Sequence, residues 1–162
     1  MDEKEKAQAE MMCDLIRRFN THRDTPSLTL LVAFLLNARV CVPMTVSMEE
    51  EDLEKILASK AGDTVTTGGA IRMKPDMLKN DTGELFFPAF TTKEETPESY
   101  RKNFSWITMD FMDCVRKASG MPICDGLVLN GFSEPFVLSR ALMQLMMDYE
   151  KTQEAAKKRE TE

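Results

Sequence analysis

Residues 80–95 read NDTGELFFPAFTTKEE, and three elements of a fold follow from this one run. The polar residues 80–83 form a turn in which Gly83 is free to take a positive φ, closing a hairpin onto a strand over residues 84–90. Thr92 with Glu95 then has capping-box spacing, and Thr96-Pro97 offers a second start for a short helix over residues 98–103. Side chains alternate across a strand, so Phe86 and Phe87 point to opposite faces of the sheet. One of the two must meet a layer of helices or form an exposed apolar site; a covering helix is the better expectation, because exposed aromatic patches are uncommon on soluble monomers.

Upstream of this run, Met11, Met12, Leu15, Ile16 and Phe19 recur at helical spacing and predict an amphipathic helix over residues 10–19. Thr25-Pro26 opens a second helix running to about residue 38, apolar nearly all round and therefore central. Residues 40–44 (VCVPM) read as a strand. Ser47 and Glu50 form a capping box for a helix that stops near Gly62, and the acidic residues 49–52 complement its dipole. Consecutive acids point in different directions around a helix, so this run reads as a solvated helix start rather than a metal cluster. Gly68-Gly69 lacks the glycine spacing of phosphate loops and reads as a turn into a strand over residues 70–78.

Downstream, Phe111, Cys114, Val115 and Ala118 share one face of a helix over residues 110–119, with Gly120 at the stop. Residues 126–130 (GLVLN) predict a strand, and residues 135–138 a second one pairing back on the same sheet. A last helix begins at Ser139 with Leu142, Leu145, Met146 and Tyr149 expected inside, and residues 150–162 prolong it as a charged extension. Of the 13 methionines, Met11, Met12, Met112, Met143 and Met146 read as core filler, with Met147 partly exposed. The fold class is therefore α+β: a small mixed, largely antiparallel sheet packed by several helices. The 162 residues are expected to form one domain, with its core at about 25–138, a helical N-terminal arm at 1–20 and the charged extension at 150–162.

Composition narrows the chemistry. Acidic residues outnumber basic ones 27 to 21, and the resulting charge of -6 disfavours nucleic acid and anionic membranes as partners. The longest apolar stretch, residues 28–36, is about half of the roughly 20 residues that a membrane-spanning helix requires. The N-terminus is charged and carries no secretion-signal pattern. Cys13, Cys41, Cys114 and Cys124 show neither disulfide-framework nor zinc spacing and read as buried thiols of a reducing cytosol. The single histidine, His22, lies in a polar connection and reads as a solvated residue. A Cys-His hydrolase would have to bring it to Cys41, Cys114 or Cys124, and no local signature marks such a site. No catalytic residue, metal ligand or cofactor is expected.

Three segments resemble one family, the SseB N-terminal domain, named for enhanced serine sensitivity protein B: residues 34–44 (FLLNARVCVPM), 83–95 (GELFFPAFTTKEE) and 126–136 (GLVLNGFSEPF). The resemblance spans roughly residues 25–138. It departs from many relatives at Asn130-Gly131, where those place a proline after the asparagine. What it implies is a bacterial, cytoplasmic α+β domain of the accessory or regulatory kind, with no established reaction, cofactor or active site to carry over.

The expected function is a non-catalytic module that binds a protein partner, or its own copy, through an edge or face of the sheet at Phe86, Phe87 and Phe132. The alternative is a small-molecule sensor in which Arg72, Lys74 or Asn130 holds a polar ligand between sheet and helix. An enzyme is a third reading.

Overall fold

The computed structural model describes residues 2–47 and 72–161. The helix expected over residues 47–62, with its capping box and acidic first turn, the Gly68-Gly69 turn and the first residues of the strand expected at 70–78 lie outside the described residues. The described part is α+β, as expected.

Helix α1 runs Glu3–His22; Asp2 caps it by accepting from the Glu5 amide at 2.8 Å, and Arg23 ends it in the left-handed conformation, φ 50°, donating to the Phe19 carbonyl. Helix α2 is Thr25–Leu35, and its cap is Asp24, one residue before the expected Thr25: the carboxylate accepts from the Ser27 amide at 2.9 Å. Strand β1 is Arg39–Ser47, β2 is Arg72–Pro75, β3 is Leu78–Lys79 and β4 is Leu85–Ala89. In the β3–β4 turn the Asn80 side chain accepts from the Thr82 and Glu84 amides, and Gly83 takes φ 88° as its turn role requires. A 3-10 turn at Lys93–Glu95 leads to the short helix α3, Glu98–Arg101, then to β5 at Ser105–Asp110, α4 at Phe111–Ser119, β6 at Gly126–Leu129, β7 at Phe136–Ser139 and α5 at Arg140–Thr161.

The strands divide between two sheets rather than forming one. Strands β2, β1 and β5 make an antiparallel sheet, and β3, β4, β6 and β7 make a mixed one in which β4 and β6 run parallel. The sheets meet where Cys41 and Phe90 exchange backbone hydrogen bonds of 2.7 and 2.9 Å. Strand β5 was not anticipated: its residues Trp106, Ile107 and Thr108 favour strands, but its partner β1 lies more than sixty residues upstream.

The core joins the apolar stripes of α1 (Met12, Ile16), α2 (Leu31, Leu35), α4 (Phe111, Cys114, Val115) and α5 (Met143, Met146) to the sheet residues Phe87, Leu127, Leu129 and Leu138. Three expectations need correction. Cys114 and Cys124 are buried as expected, but Cys13 and Cys41 are only partly so, because each lines a cleft where the packing opens. Leu145 is 65% and Tyr149 50% exposed, because the first turns of α5 are apolar on several sides and Met143 and Met146 take the inner face. Met11 is exposed while its neighbour Met12 is buried, the two pointing to different sides of α1.

Candidate functional site

Parallel strands β4 and β6 end side by side, at Ala89 and Leu129, and the chain leaves both ends through polar residues. Thr91 follows β4 and Asn130 follows β6; both side chains are buried. Asn130 holds φ 56°, a conformation few residues other than glycine adopt cheaply. It does so because its amide is fully engaged: Oδ1 accepts from the Thr91 amide at 2.9 Å, and Nδ2 donates to Thr91 Oγ1 at 3.2 Å and to Cys13 Sγ at 3.7 Å. Cys13 thus sits where α1 crosses the two strand ends. Its thiol pKa is held above the ordinary value, by burial first and also by the nearby Glu95 carboxylate, against opposing hydrogen bonds from Thr91 and Asn130.

The loop after Asn130 is fastened at two more points. Ser133 Oγ donates to Glu95 Oε2 at 2.7 Å, and Arg17 Nε donates to Glu134 Oε1 at 2.9 Å. The expected capping box is thereby undone: Thr92 makes no side-chain cap, and Glu95 turns toward Ser133 instead. Between α1 and residues 91–95 lies a cleft of about 550 Å³, floored by Ala9 and Cys13 and flanked by Lys6, Glu10, Glu94 and Glu95. A smaller cavity of about 230 Å³ adjoins it beneath the loop, sharing Cys13, Arg17 and Glu95 and adding Asn130, Ser133 and Glu134.

At the outer side of the same loop Phe132 stands 47% exposed. Its ring stacks on the buried Phe90, centroids 5.9 Å apart and planes 8° apart, and meets Tyr100 at 4.8 Å. Tyr100 in turn contacts Phe104 at 4.7 Å, and Phe90 meets Trp106 edge-on at 5.7 Å. The Tyr100 hydroxyl donates to Asp76 Oδ2 at 2.7 Å; burial, and then this carboxylate, hold the phenol well above its ordinary pKa. The aromatic surface is therefore anchored from behind.

The residues singled out from sequence are dispersed. Phe132 is at the surface, whereas Phe87 is 1% exposed in the core and cannot present a face to a partner. Phe86 is half-buried and pairs opposite Gly126. Asn130 is 1% exposed and positions the loop. Lys74 is exposed on β2 of the other sheet; Arg72 pairs through its backbone with Ser47, and its side chain lies outside the described residues. The cleft beside α1 was not anticipated, because Cys13, Thr91 and Asn130 are far apart in the chain. His22 ends α1 nine residues beyond Cys13, roughly 13 Å along the helix axis. Among the described residues no cluster of His, Cys, Asp and Glu is placed to hold a metal, and no helix is long and apolar enough to cross a membrane.

Two small sheets, packed by helices and joined at the Cys41–Phe90 bridge, with a clamped loop at the ends of two parallel strands, define an α+β domain. The chain belongs to the SseB protein N-terminal domain family, whose model matches residues 14–144. That span contains Thr91, Glu95, Asn130 and Phe132. Comparison with curated proteins gave no match, and comparison with solved structures gave none.

Proposed function

We propose that this SseB-family domain is a non-catalytic accessory or regulatory module that binds a protein partner through the aromatic surface around Phe132, in the cytoplasm of a bacterium, where its four free cysteines stay reduced. The observation that carries the reading is Phe132 itself, half exposed yet stacked flat on the buried Phe90 and held laterally by Tyr100. An ordered aromatic side chain loses little conformational entropy on association, and aromatic anchors of this kind supply a large share of interface energy. The clamp from Asn130 to Thr91 fixes the loop backbone that presents the ring.

The test is capture on immobilised wild-type protein against Phe132→Ser, with sedimentation of both to detect self-association. The reading expects a stoichiometric partner, or a second copy of the chain, bound by the wild type and lost by the variant. A partner held equally by both proteins would overturn it.

A further inference from the structure

The loop of residues 130–134 lines the smaller cavity that adjoins the cleft beside α1 and also carries the aromatic surface: Phe132 faces outward, while Ser133 and Glu134 are tied to Glu95 and Arg17 on the cleft walls. A partner segment seated on Phe132 therefore has the cleft next to it. The charge of the cleft selects what that segment can place there. Arg17 is held between Glu134 at 2.9 Å and Asp14 at 3.5 Å, so its charge is already matched. Of the remaining charged groups among the described residues, Glu10, Glu94 and Glu95 face a single ammonium, Lys6. Among the described residues the side chains of Glu10 and Glu94 have no hydrogen-bond or ion-pair partner. The floor, by contrast, is apolar, formed by Ala9, which is buried, and the Cys13 thiol.

A carboxylate rim over an apolar floor matches the long basic side chains, whose methylenes pack on apolar surface while the head group stays with the charges. We propose that the cleft takes a lysine or arginine side chain from the same partner segment that packs on Phe132, so that the module recognises a basic and apolar stretch of protein. The inference rests on the partner-binding reading and gives that partner its chemistry.

The probe is a capped peptide of alternating arginine and leucine, set against the same peptide with glutamate for arginine and against free arginine amide. Binding is followed by calorimetry and by amide chemical shifts. The arginine peptide is expected to shift amides of α1 from Lys6 to Arg17 and of residues 91–95 and 130–134, and the glutamate peptide to leave them in place. The double variant Glu10→Gln/Glu94→Gln removes two carboxylates that hold no other group among the described residues, so the fold is kept, and is expected to weaken the arginine peptide about threefold to tenfold at low salt, with less difference at high salt.

Equal affinity of the double variant would overturn the proposal, as would binding of the glutamate peptide. Free arginine amide binding as tightly as the peptide would also overturn it, in favour of a small-cation site. The two levels separate cleanly: if Phe132→Ser abolishes partner capture while Glu10→Gln/Glu94→Gln leaves it unchanged, the basic-side-chain inference fails and the partner reading stands. If Phe132→Ser leaves capture unchanged, the partner reading itself has failed.

Discussion

The side-chain oxygen of Asn130 accepts a 2.9 Å hydrogen bond from the backbone amide of Thr91. The two residues are the first or second beyond the ends of parallel strands β6 and β4, so this bond closes the sheet where its ladder stops; the backbone bond from Asn130 N to the Ala89 carbonyl, 2.9 Å, lies beside it. Because both groups are buried, water cannot replace either partner. The left-handed backbone of Asn130 is then held in place by contacts to two other elements, α1 and the β4 exit.

Replacing Asn130 by alanine should leave the Thr91 amide buried without an acceptor and force a Cβ residue with no compensating bond to keep φ 56°. The expected loss is about 2–4 kcal/mol, the sum of an unsatisfied buried donor and the left-handed penalty. Asn130→Gly removes only the second part and should cost less than Asn130→Ala. Urea unfolding of the three proteins gives the ranking; an alanine variant as stable as the wild type would show that the clamp contributes nothing.

Gly126 is fixed by a different constraint. A Cβ built there would stand 2.3 Å from the Leu138 carbonyl oxygen on β7 and 3.4 Å from the Phe86 ring. The neighbour is backbone in a paired strand, which cannot retreat without breaking the β6–β7 ladder. Gly126→Ala should therefore destabilise by about 1–3 kcal/mol through overpacking, and hydrogen exchange should quicken first in β7. Unchanged protection of the β7 amides would refute the assignment.

These constraints differ in how far the sequence exposes them. The Asn80 turn and the α2 start are legible because every group involved lies within four residues, and the hydrogen bonds of Asn80 and Asp24 are local, whereas α1 begins at Glu3, seven residues before the start at residue 10 that its apolar stripe marks. The opposition of Phe86 and Phe87 follows from the pleat, but which of them is covered depends on helices elsewhere in the chain. The face of α5 is illegible for another reason: with Leu142, Met143, Leu145, Met146 and Met147 all apolar, periodicity allows more than one inner stripe. The site is hidden by distance along the chain, since Asn130 reaches Thr91 across 39 residues and Cys13 across 117. The one sequence trace of it is Cys13 itself, a small sulfur residue at the border of the α1 stripe, between Met12 and Asp14.

Arg140, the first residue of α5, ties that helix to the end of α4. Its guanidinium donates to three carbonyls, Ser119 at 2.8 Å, Cys124 at 2.6 Å and Met121 at 3.2 Å. The planar fork of arginine reaches all three, whereas a lysine ammonium is a single point on a flexible stem. Arg140→Lys should lose about 1–2 kcal/mol and Arg140→Ala somewhat more, since hydrogen bonds from a charged donor are the stronger kind. Thermal unfolding of the three proteins checks this. A lysine variant that matches the wild type would show that one contact suffices.

Alkaline pH should loosen the fold through Cys114. This residue is fully buried on α4, and its thiol is pushed up to about 12, by burial first and by Asp113 next, from an ordinary value of 9.0. The native state thus holds the proton more tightly than the unfolded chain does. The resulting stabilisation is whole below about pH 9 and drains away as the pH climbs toward 12, because the unfolded chain alone releases the proton in that interval. Tyr100 is shifted in the same direction, by burial and by its bond to Asp76, and adds to the alkaline loss. Cys114→Ala should be less stable than the wild type at neutral pH, from the cavity it leaves, yet lose stability less steeply above about pH 9. Denaturant midpoints of both proteins across this range decide the matter: the gap between them should narrow with rising pH, and a constant gap would mean that the Cys114 thiol does not titrate differently in the two states.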